Sequence, residues 1–553
     1  MRKNFLNKFL INNELELENN NRFKDLSVIK KYHSKLLINL TEYLFRYHYC
    51  EINKKVLRLM VHTWLNYYLN FYFMRWNFFN KNIFTNKKNY FPDINFKKFE
   101  QKKDLIIDTI DFYDVCKSSK IFNYLALKRI AVFKNKNKKN KIIFYKEKKF
   151  KDKFFLNRKK SFISKFFFKL FFNFERLFYK PKIFIDKFFP FVLSNIIKIN
   201  NYILPINYNY LFDWKKIKTI EVFKKDLFSR QKFELQKIKT NDEFLRFIQD
   251  QIIDDLPIFI CEGLDKIDKY ASLIYKPKLT ISYVSHVHNE LYKYWVLDNN
   301  LNKKSANIGV HHGGDHQILD VLLNYNRLFC DYNYISWTKN KTSDINLPIS
   351  KYVFPFKRIK NSKKLIMIDH AFTKYEVIIR NGPMENHFNQ TINYLSKIEN
   401  HLDKNIKKNF KYIPKNFDLY IDNKVKIKKY KPSGGLELNH HLSTARLSIC
   451  TYPQTAYFDS LVSGPTILII NPKYWKESKI HKISYKAMKK NNLLFYDIDE
   501  VINFINKNWH NIDEWWNNKD TIKAKKTFLN NFNINFDKIN SIKLWTNFIK
   551  KKN

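Results

Sequence analysis

The spacing of hydrophobic residues changes along the chain and divides it into parts. Between residues 26 and 80, apolar side chains fall at helical spacings, as in Leu36, Leu37, Leu40 and Leu44, and they predict helices. From about residue 245, short apolar runs alternate with helical stretches, which is typical of doubly wound α/β sheets. The predicted strands are Pro257–Cys261, Leu279–Val284, Ala306–Val310, Tyr332–Trp337, Lys364–Ile368, Val377–Ile379, Leu447–Cys450, Thr466–Ile470 and Leu493–Tyr496.

These strands form two series, separated by a break around Ser343–Tyr352. We therefore predict an α/β protein with two Rossmann-like lobes that follow a helical region and a basic insert. The predicted parts are a helical N-terminal region (1–134), a basic aromatic-rich insert (135–216), an N-terminal α/β lobe (217–345) and a C-terminal α/β lobe (346–553).

The charge of the chain is strongly positive. Of its 553 residues 45% are hydrophobic, so it can bury substantial cores, and its formal charge is +50. Such a charge by itself favours nucleic acid or an anionic membrane as partner. The excess is nearly all lysine, however, and a codon bias toward Lys, Asn, Ile, Phe and Tyr explains most of it. Arginine, the usual reader of phosphates and guanine edges, is scarce, so we expect no specific nucleic-acid partner.

Cysteine usage and the N-terminus predict the compartment. The five cysteines show no CxxC pair and no regular spacing, which argues against a disulfide framework and a zinc knuckle. The chain begins without the apolar core of a signal peptide, and no apolar run is long enough to span a membrane. We therefore predict a cytoplasmic protein. The insert is either a lysine-rich helix pair packed by phenylalanines or a segment lying on the anionic inner face of the cell membrane.

All eight glycines lie after Asp255. Because the codon bias disfavours glycine, a glycine that is kept marks a backbone that needs a positive φ or a close approach. Four of the eight form the doublets Gly313-Gly314 and Gly434-Gly435. The second half of the chain is thus predicted to carry the chemistry.

The first candidate site follows the predicted strand Ala306–Val310. Its residues are His311, His312, Gly313, Gly314 and Asp315. Ligands of open α/β sheets bind at the carboxyl ends of the strands, and a helix that begins after this segment would offer its N–H groups to an anion. The alternative is a tight turn in which the backbone satisfies the histidines. The two glycines beside the histidines favour a site.

The second candidate site lies between residues 447 and 470, which predict a strand, a polar loop, a helix and another strand. Thr451, Gln454 and Thr455 line the loop, where hydroxyls and helix N–H groups are placed to hold a phosphate. Asp459 lies one helical turn past Thr455, within reach of ribose hydroxyls. Gly464 fits the C-cap of the helix. A βαβ unit without ligand has the same order of elements, but the threonine-rich loop favours a ligand.

These two segments resemble a family of transferases first noticed in leptospiral surface-polysaccharide loci and found in loci for capsule and O-antigen. The resemblance covers the first 80 residues and about 250 to 535. The residues that carry it are His312-Gly313-Gly314, Thr451-Tyr452, Thr455, Pro465-Thr466-Ile467, Asn471-Pro472 and Trp515-Trp516, with Leu40, His48, Arg58, Trp64 and Leu65 near the N-terminus. Two positions depart from the family: Asp459 replaces a glutamate, and Asp315-His316 replaces Tyr-Gly.

The resemblance implies a glycosyltransferase of GT-B type. Its C-terminal lobe would bind a nucleotide-activated donor, and its N-terminal lobe a glycan or lipid-linked glycan of a surface polysaccharide. It implies neither a metal nor a cofactor besides the nucleotide-sugar donor, because helix N-termini and basic side chains stabilise the leaving diphosphate. The base for the acceptor hydroxyl would be His311, His312 or Asp315, with Glu262 in reserve. Arg380 would pair with the donor phosphate, or else lie on the surface beside a turn.

Other patterns leave alternatives open. His286-x-His288-x-Glu290 follows a predicted strand and could bind zinc in a hydrolase, although the Asp-His that completes such motifs is missing. Asp497-x-Asp499 is predicted to cap a helix. Two other classes of function stay open: a basic RNA- or polyanion-binding protein, and a catalytically silent scaffold of a polysaccharide locus, which the departures at Asp459 and Asp315 would fit.

Overall fold

Parallel sheets and many helices form a mixed α/β fold in the computed structural model. The residues that it describes are 19–83, 89–93, 106–136, 142–146, 162–178, 180–201, 210–221, 223–302, 305–313, 320–339, 344–354, 358–359, 362–370, 375–379, 388–413, 435–475, 477 and 481–552. Within these ranges, no helix has both the length and the apolar composition needed to cross a membrane.

Eleven strands are present in the described residues. They are β1 (Asn89–Asp93), β2 (Ile142–Lys146), β3 (Ile183–Ile185), β4 (Leu279–Ser282), β5 (Ala306–Val310), β6 (Tyr334–Ile335), β7 (Lys364–Ile368), β8 (Phe410–Ile413), β9 (Ala445–Cys450), β10 (Thr466–Ile469) and β11 (Leu494–Phe495). A first sheet has the order β3-β4-β5-β6, a second sheet has the order β11-β10-β9-β7-β8, and β1 pairs with β2. Every named strand pair is parallel.

Helices precede, connect and follow these strands. Those before β4 are α1 (Asn19–Tyr47), α2 (Lys54–Ile83), α3 (Thr109–Ser118), α4 (Lys120–Lys136), α5 (Phe162–Phe178), α6 (Phe191–Asn200), α7 (Trp214–Ile220), α8 (Leu227–Gln231), α9 (Glu243–Asp255) and α10 (Leu264–Ser272). Those after β4 are α11 (Ser285–His288), α12 (Glu290–Leu301), α13 (Asp320–Phe329), α14 (Phe388–His401), α15 (Lys404–Lys407), α16 (Gly435–Ser443), α17 (Thr455–Ser463), α18 (Lys482–Lys490), α19 (Ile498–Asn508), α20 (Ile512–Asn517), α21 (Lys519–Leu529) and α22 (Lys538–Lys552).

The first sheet is covered on both faces, as its continuous apolar strands predict. Along β3, Phe184 joins the core of the N-terminal helices, whereas Ile183 and Ile185 join a core on the opposite face. Trp545 of the last helix, α22, is completely buried in that second core, and its Nε1 donates to the carbonyl of Pro348 at 2.8 Å. The chain therefore returns to the first sheet after it has completed the second.

The N-terminal helices predicted within residues 26–80 are confirmed as α1 and α2. Almost the whole length of α2 is buried, including Trp64, Leu65 and Tyr68, because α1, α4, α12 and α13 all pack against it. Arg75 of α2 is buried as well, and its guanidinium donates to the carbonyl of Glu376 at 2.6 Å. The helical region thus shares its core with the first sheet.

The order of strands in the second sheet reverses beside β7. From β7 the chain passes to β8 on one side, and then returns to place β9 on the other side. Loops that leave β7 and β9 consequently diverge, and a crevice at such a switch point is where open α/β sheets bind ligands.

Two of the predicted strands are not strands. Pro257–Cys261 contains a buried 3₁₀ turn, Ile258–Ile260, in which the N–H of Cys261 donates to the carbonyl of Ile258 at 3.3 Å. A short apolar run fits a buried turn as well as a strand, since both lack a polar face. Val377 and Ile379 are buried, but this segment forms no strand ladder with any residue that the structure describes.

β1, β2, β3 and β8 lie outside the predicted strands. β3 also lies inside the segment predicted as an insert (135–216), and it pairs in register with β4. The first sheet therefore begins before residue 217, the predicted start of the N-terminal lobe.

Candidate functional site

The loop after β5 meets the N-terminus of α17. Gly313 has a φ of +120°, a conformation that residues with a Cβ rarely adopt. A Cβ at this position would lie 2.7 Å from the indole of Trp337 and 2.9 Å from Oγ1 of Thr455. The backbone of the loop that follows β5 therefore lies directly against the side chain of Thr455, at the start of α17. The two candidate segments selected from the sequence thus lie side by side.

The two histidines before Gly313 differ in exposure. Trp337 Nε1 donates to the carbonyl of His311 at 2.9 Å, and burial, aided by the positive charge of His312, lowers the pKa of His311 to about 3. This imidazole is therefore neutral near pH 7, and so low a pKa makes it a weak base in this structure. His312 is exposed; its carbonyl accepts from the hydroxyl of Tyr283 at 3.1 Å, and its ring packs against Tyr283 edge to face.

A buried carboxylate lies at the switch point of the second sheet. Asp369, directly after β7, accepts hydrogen bonds from the hydroxyls of Thr391 at 2.6 Å, Tyr412 at 2.9 Å and Thr451, and from the N–H of His370 at 2.7 Å. Burial raises the pKa of Asp369, and the hydrogen bonds act in the opposite direction. The hydroxyl of Thr451, predicted to face a phosphate, is thus bound to Asp369 and ties the end of β9 to the end of β7.

The N-terminus of α17 carries no side-chain cap. Gln454 is its N-cap residue, with extended backbone and no side-chain hydrogen bond to the helix, and Thr455 is its first residue. Both side chains are partly exposed. The first N–H groups of α17 thus open onto the loop between β9 and the helix, which is the geometry that attracts anions.

Gly464 ends α17, as predicted, but its backbone is extended, with a φ of 171°. A left-handed conformation is therefore not the reason for glycine here. A Cβ would instead lie 3.0 Å from Cδ of Arg358, so the side chain of Arg358 covers this position.

Asp459 is bound to two residues that follow the first sheet. Its carboxylate accepts from Nζ of Lys351 at 2.7 Å and from the hydroxyl of Tyr352 at 3.0 Å. Burial and then the charge of Asp459 raise the pKa of Tyr283. The predicted ribose ligand is thus part of a polar cluster between the two sheets.

Glu262 has a structural partner. Its two carboxylate oxygens accept from Nε and Nη2 of Arg230, each at 2.7 Å, and Arg230 is fully buried. The choice of Glu262 as reserve base depends on the predicted strand Pro257–Cys261. In the structure this segment contains the 3₁₀ turn described above and is not a strand. Gly314, Asp315 and Arg380, which the sequence also selects, lie outside the described residues.

Two residues of the zinc alternative, His286 and Glu290, have other partners. Nδ1 of His286 lies 2.7 Å from the hydroxyl of Ser282, and Nε2 lies 3.1 Å from Oδ1 of Asn326. Glu290 forms a buried ion pair with Lys293. Across the described ranges, no three His, Cys, Asp or Glu side chains are grouped so as to hold a metal ion.

Asp497 caps α19 as predicted, accepting from the N–H of Asp499 at 2.7 Å. A large groove, of 1360 Å³, lies elsewhere, among α1, α4, α8 and α9, and both basic and acidic side chains line it. None of its lining residues belongs to the candidate site.

Sequence patterns missed five residues of the site: Tyr283, Trp337, Lys351, Tyr352 and Asp369. The carboxyl-end rule that selected His311 and Thr451 applies equally to Asp369, which follows the predicted strand Lys364–Ile368. Tyr283 follows β4, but the predicted strand Leu279–Val284 includes it. Lys351 and Tyr352 lie at the predicted break between the two series of strands, where no strand end points to them.

The site as a whole combines three chemical elements. They are the adjacent histidines His311 and His312, the N-terminus of α17, whose N–H groups carry partial positive charge, and the switch point between β7 and β9, the place where open α/β sheets bind ligands. All three lie at carboxyl ends of parallel strands, and the contact of Gly313 with Thr455 joins them.

The chain belongs to the LIC12162 family of transferases, whose family model matches residues 5–549. This match confirms the family that the sequence motifs indicated and extends it over nearly the whole chain. No curated protein and no solved structure matches.

Proposed function

From the membership of a transferase family, we propose that the protein transfers a sugar or a related group from a nucleotide-activated donor to a surface-polysaccharide acceptor. The observation that carries the proposal is the contact between Gly313 and Thr455. It joins a histidine loop, which can deprotonate a hydroxyl, to a helix N-terminus, which can hold a phosphate. A transferase with an anionic donor and a hydroxyl acceptor needs both in one place.

The donor binds at the second sheet, with its phosphates against the N-terminus of α17. The absence of a side-chain cap at the start of α17 supports this position, as does the switch point beside β7. Lys351, already paired with Asp459, adds a positive charge beside the helix. Arg380, from the sequence analysis, is a further ligand for the phosphate in this proposal.

The acceptor binds on the side of the first sheet, which with the second sheet makes a GT-B arrangement. In the reaction, His311 or His312 takes the proton of the acceptor hydroxyl, with Asp315 as the other candidate. The acceptor oxygen then forms a bond to the transferred carbon, while the bond from that carbon to the donor phosphate breaks. The nucleotide leaves with the electron pair, and the helix N-terminus stabilises its charge.

The test is thermal unfolding of the purified protein with UDP, GDP, CDP, CMP, TDP and ADP. A ligand that binds only the folded state stabilises it by about 2.7 kcal/mol at a hundredfold excess over Kd. We expect a shift with one class of nucleotide, and a loss of that shift in Thr455→Ala. Thr219→Ala, which removes a helical threonine in α7, is the matched control and is expected to keep it.

A second readout separates binding from chemistry. Release of nucleotide from the matching nucleotide-sugar should fall in the double variant His311→Gln/His312→Gln, while its nucleotide-dependent shift is retained. No shift with any of the six nucleotides, together with salt-sensitive binding of RNA, would contradict the proposal and favour a polyanion-binding protein.

A further inference from the structure

Helix α5 exposes a wide apolar face. Its members are large side chains that are each 40 to 72% exposed: Phe166, Phe167, Leu170, Phe171, Phe174, Leu177 and Phe178. At about 100° per residue these positions share one side of the helix, covering roughly 140° of its circumference. A monomeric protein in water rarely exposes so many large apolar groups together.

The opposite side of α5 fixes the helix to the protein. Phe168 and Phe172 are buried in the core of the N-terminal helices, where Phe172 packs edge to face against Tyr270 of α10. Glu175 accepts from the N–H groups of Tyr210 and Leu211 at 2.9 and 3.0 Å. The apolar face is therefore held outward by packing on the other side of the same helix.

Basic residues border this face. Lys165, Lys169 and Arg176, at i, i+4 and i+11, lie along one edge of it, and the exposed Lys180 and Lys182 follow in the chain. Between residues 162 and 200 there are seven basic residues and only two acidic ones.

Neither acidic residue of this segment offsets the positive border. The carboxylate of Glu175 is bound to backbone N–H groups, as described above. Asp186 is buried, and its Oδ2 accepts from the N–H groups of Tyr283, Val284 and Ser285 at 2.8 to 3.2 Å. The exposed charge beside the apolar face is thus almost entirely positive.

We propose that the apolar face of α5 lies in the headgroup region of an anionic phospholipid bilayer. Phenylalanine and leucine would enter the boundary with the acyl chains, and the bordering lysines would contact lipid phosphates. A second copy of the chain is the other apolar partner to consider, but its face carries the same border, so that like charges would meet. The inference goes beyond the proposed transfer reaction and does not depend on it.

The experiment measures co-sedimentation of the full chain with phosphatidylcholine vesicles, with and without phosphatidylglycerol. We expect binding that requires phosphatidylglycerol and that falls by about tenfold or more in Phe166→Ser/Phe174→Ser/Leu177→Ser, because three buried apolar contacts are lost. The matched control is Phe228→Ser/Ile483→Ser/Ile539→Ser, which changes exposed apolar residues elsewhere and should bind like the wild type.

A second pair of variants tests the charges. Lys165→Gln/Lys169→Gln/Arg176→Gln should weaken binding to the anionic vesicles more than Lys543→Gln/Lys550→Gln/Lys551→Gln, which removes as much charge from α22. Equal losses in the two would mean that the overall charge of the chain binds lipid without using α5, and would overturn the proposal.

Sedimentation velocity without lipid tests whether a second copy of the chain covers the apolar face of α5. If the wild type ignores the vesicles but dimerises, and the Phe166→Ser/Phe174→Ser/Leu177→Ser variant is monomeric, a second copy covers the face and the bilayer proposal is wrong. Circular dichroism of each variant verifies that it is folded, which is expected because every substituted residue is at least partly exposed.

Discussion

Gly313 is the residue at which the two halves of the candidate site depend on each other. Its φ of +120° excludes most side chains, and the space where a Cβ would lie is taken by Trp337 and Thr455. Trp337 in turn packs against Tyr352 and Phe458, with ring centroids 5.5 and 5.6 Å away. A change at this one position is therefore passed to α17 through rigid aromatic contacts.

Gly313→Ala is expected to lower the free energy of unfolding by about 1–3 kcal/mol, since alanine would be strained at this φ. It should also reduce the nucleotide-dependent thermal shift, because the new methyl group displaces Thr455. Gly464→Ala is the control: its backbone is extended, and only the flexible side chain of Arg358 has to move. Equal effects of the two variants on nucleotide binding would argue against the close contact at Gly313.

Buried histidines give stability a dependence on pH. Burial lowers the pKa of His286 to about 3, whereas a histidine in the unfolded chain has a pKa near about 6.5. Between these values the unfolded state binds one proton more, so stability is complete above the unfolded pKa and falls as the pH decreases toward 3. The contribution to the slope is about 1.4 kcal/mol per pH unit for one proton.

Urea unfolding of His286→Gln between pH 4 and 6 tests this dependence. The free energy of unfolding should depend less steeply on pH in the variant than in the wild type, by up to the slope expected for one proton. This difference is expected whatever the change in absolute stability. His510→Gln, which removes an imidazole from the surface, is the matched comparison. The same change of slope in both variants would show that burial of His286 is not the cause.

At the scale of elements, apolar runs located most strands of the two sheets and the long N-terminal helices. The prediction of strands from apolar runs was wrong where a segment is apolar for a reason other than strand formation, or where its surroundings conceal it. Ile258–Ile260 is as apolar as a strand because it packs among helices, and β3 was hidden because its three residues follow a long lysine- and phenylalanine-rich stretch. Carboxyl ends of predicted strands located His311 and Thr451, but the pairing of Thr451 with Asp369 needs the order of strands, which the sequence does not contain.

The ion pair of Arg230 with Glu262 joins α8 to the turn that precedes α10. Because Arg230 is fully buried, Glu262→Gln leaves its charge without a counter-ion, and the free energy of unfolding should fall by about 3 kcal/mol. Nucleotide binding should not change. Glu243→Gln breaks the more exposed pair with Lys134 and is expected to cost less than about 1 kcal/mol. Loss of turnover at unchanged stability would instead make Glu262 the base that its position in the sequence suggested.

At the scale of the whole molecule, two sheets that are separate in sequence are tied together by the segment that follows α21. Asn533, after α21, donates to the carbonyl of Ser336, next to β6, at 2.9 Å. α22 then packs on α6 and buries Trp545 against the first sheet. Neither contact is visible as a periodic pattern, since both join elements distant in the chain, and the predicted division at residue 346 assigned α22 to the C-terminal lobe.

Trp545→Ala tests whether α22 stabilises the first sheet, whose strands all lie at least 210 residues before Trp545 in the chain. The substitution leaves a large cavity and an unpaired carbonyl at Pro348, so the free energy of unfolding should fall by about 3–5 kcal/mol. Leu544→Ala, at an exposed position one residue earlier, should be nearly neutral. Hydrogen exchange in the Trp545 variant should rise first in β3 to β6, which line the cavity, and later in β7 to β11. A uniform rise in both sheets would mean that they unfold as one unit, and that α22 supports the whole molecule and not the first sheet alone.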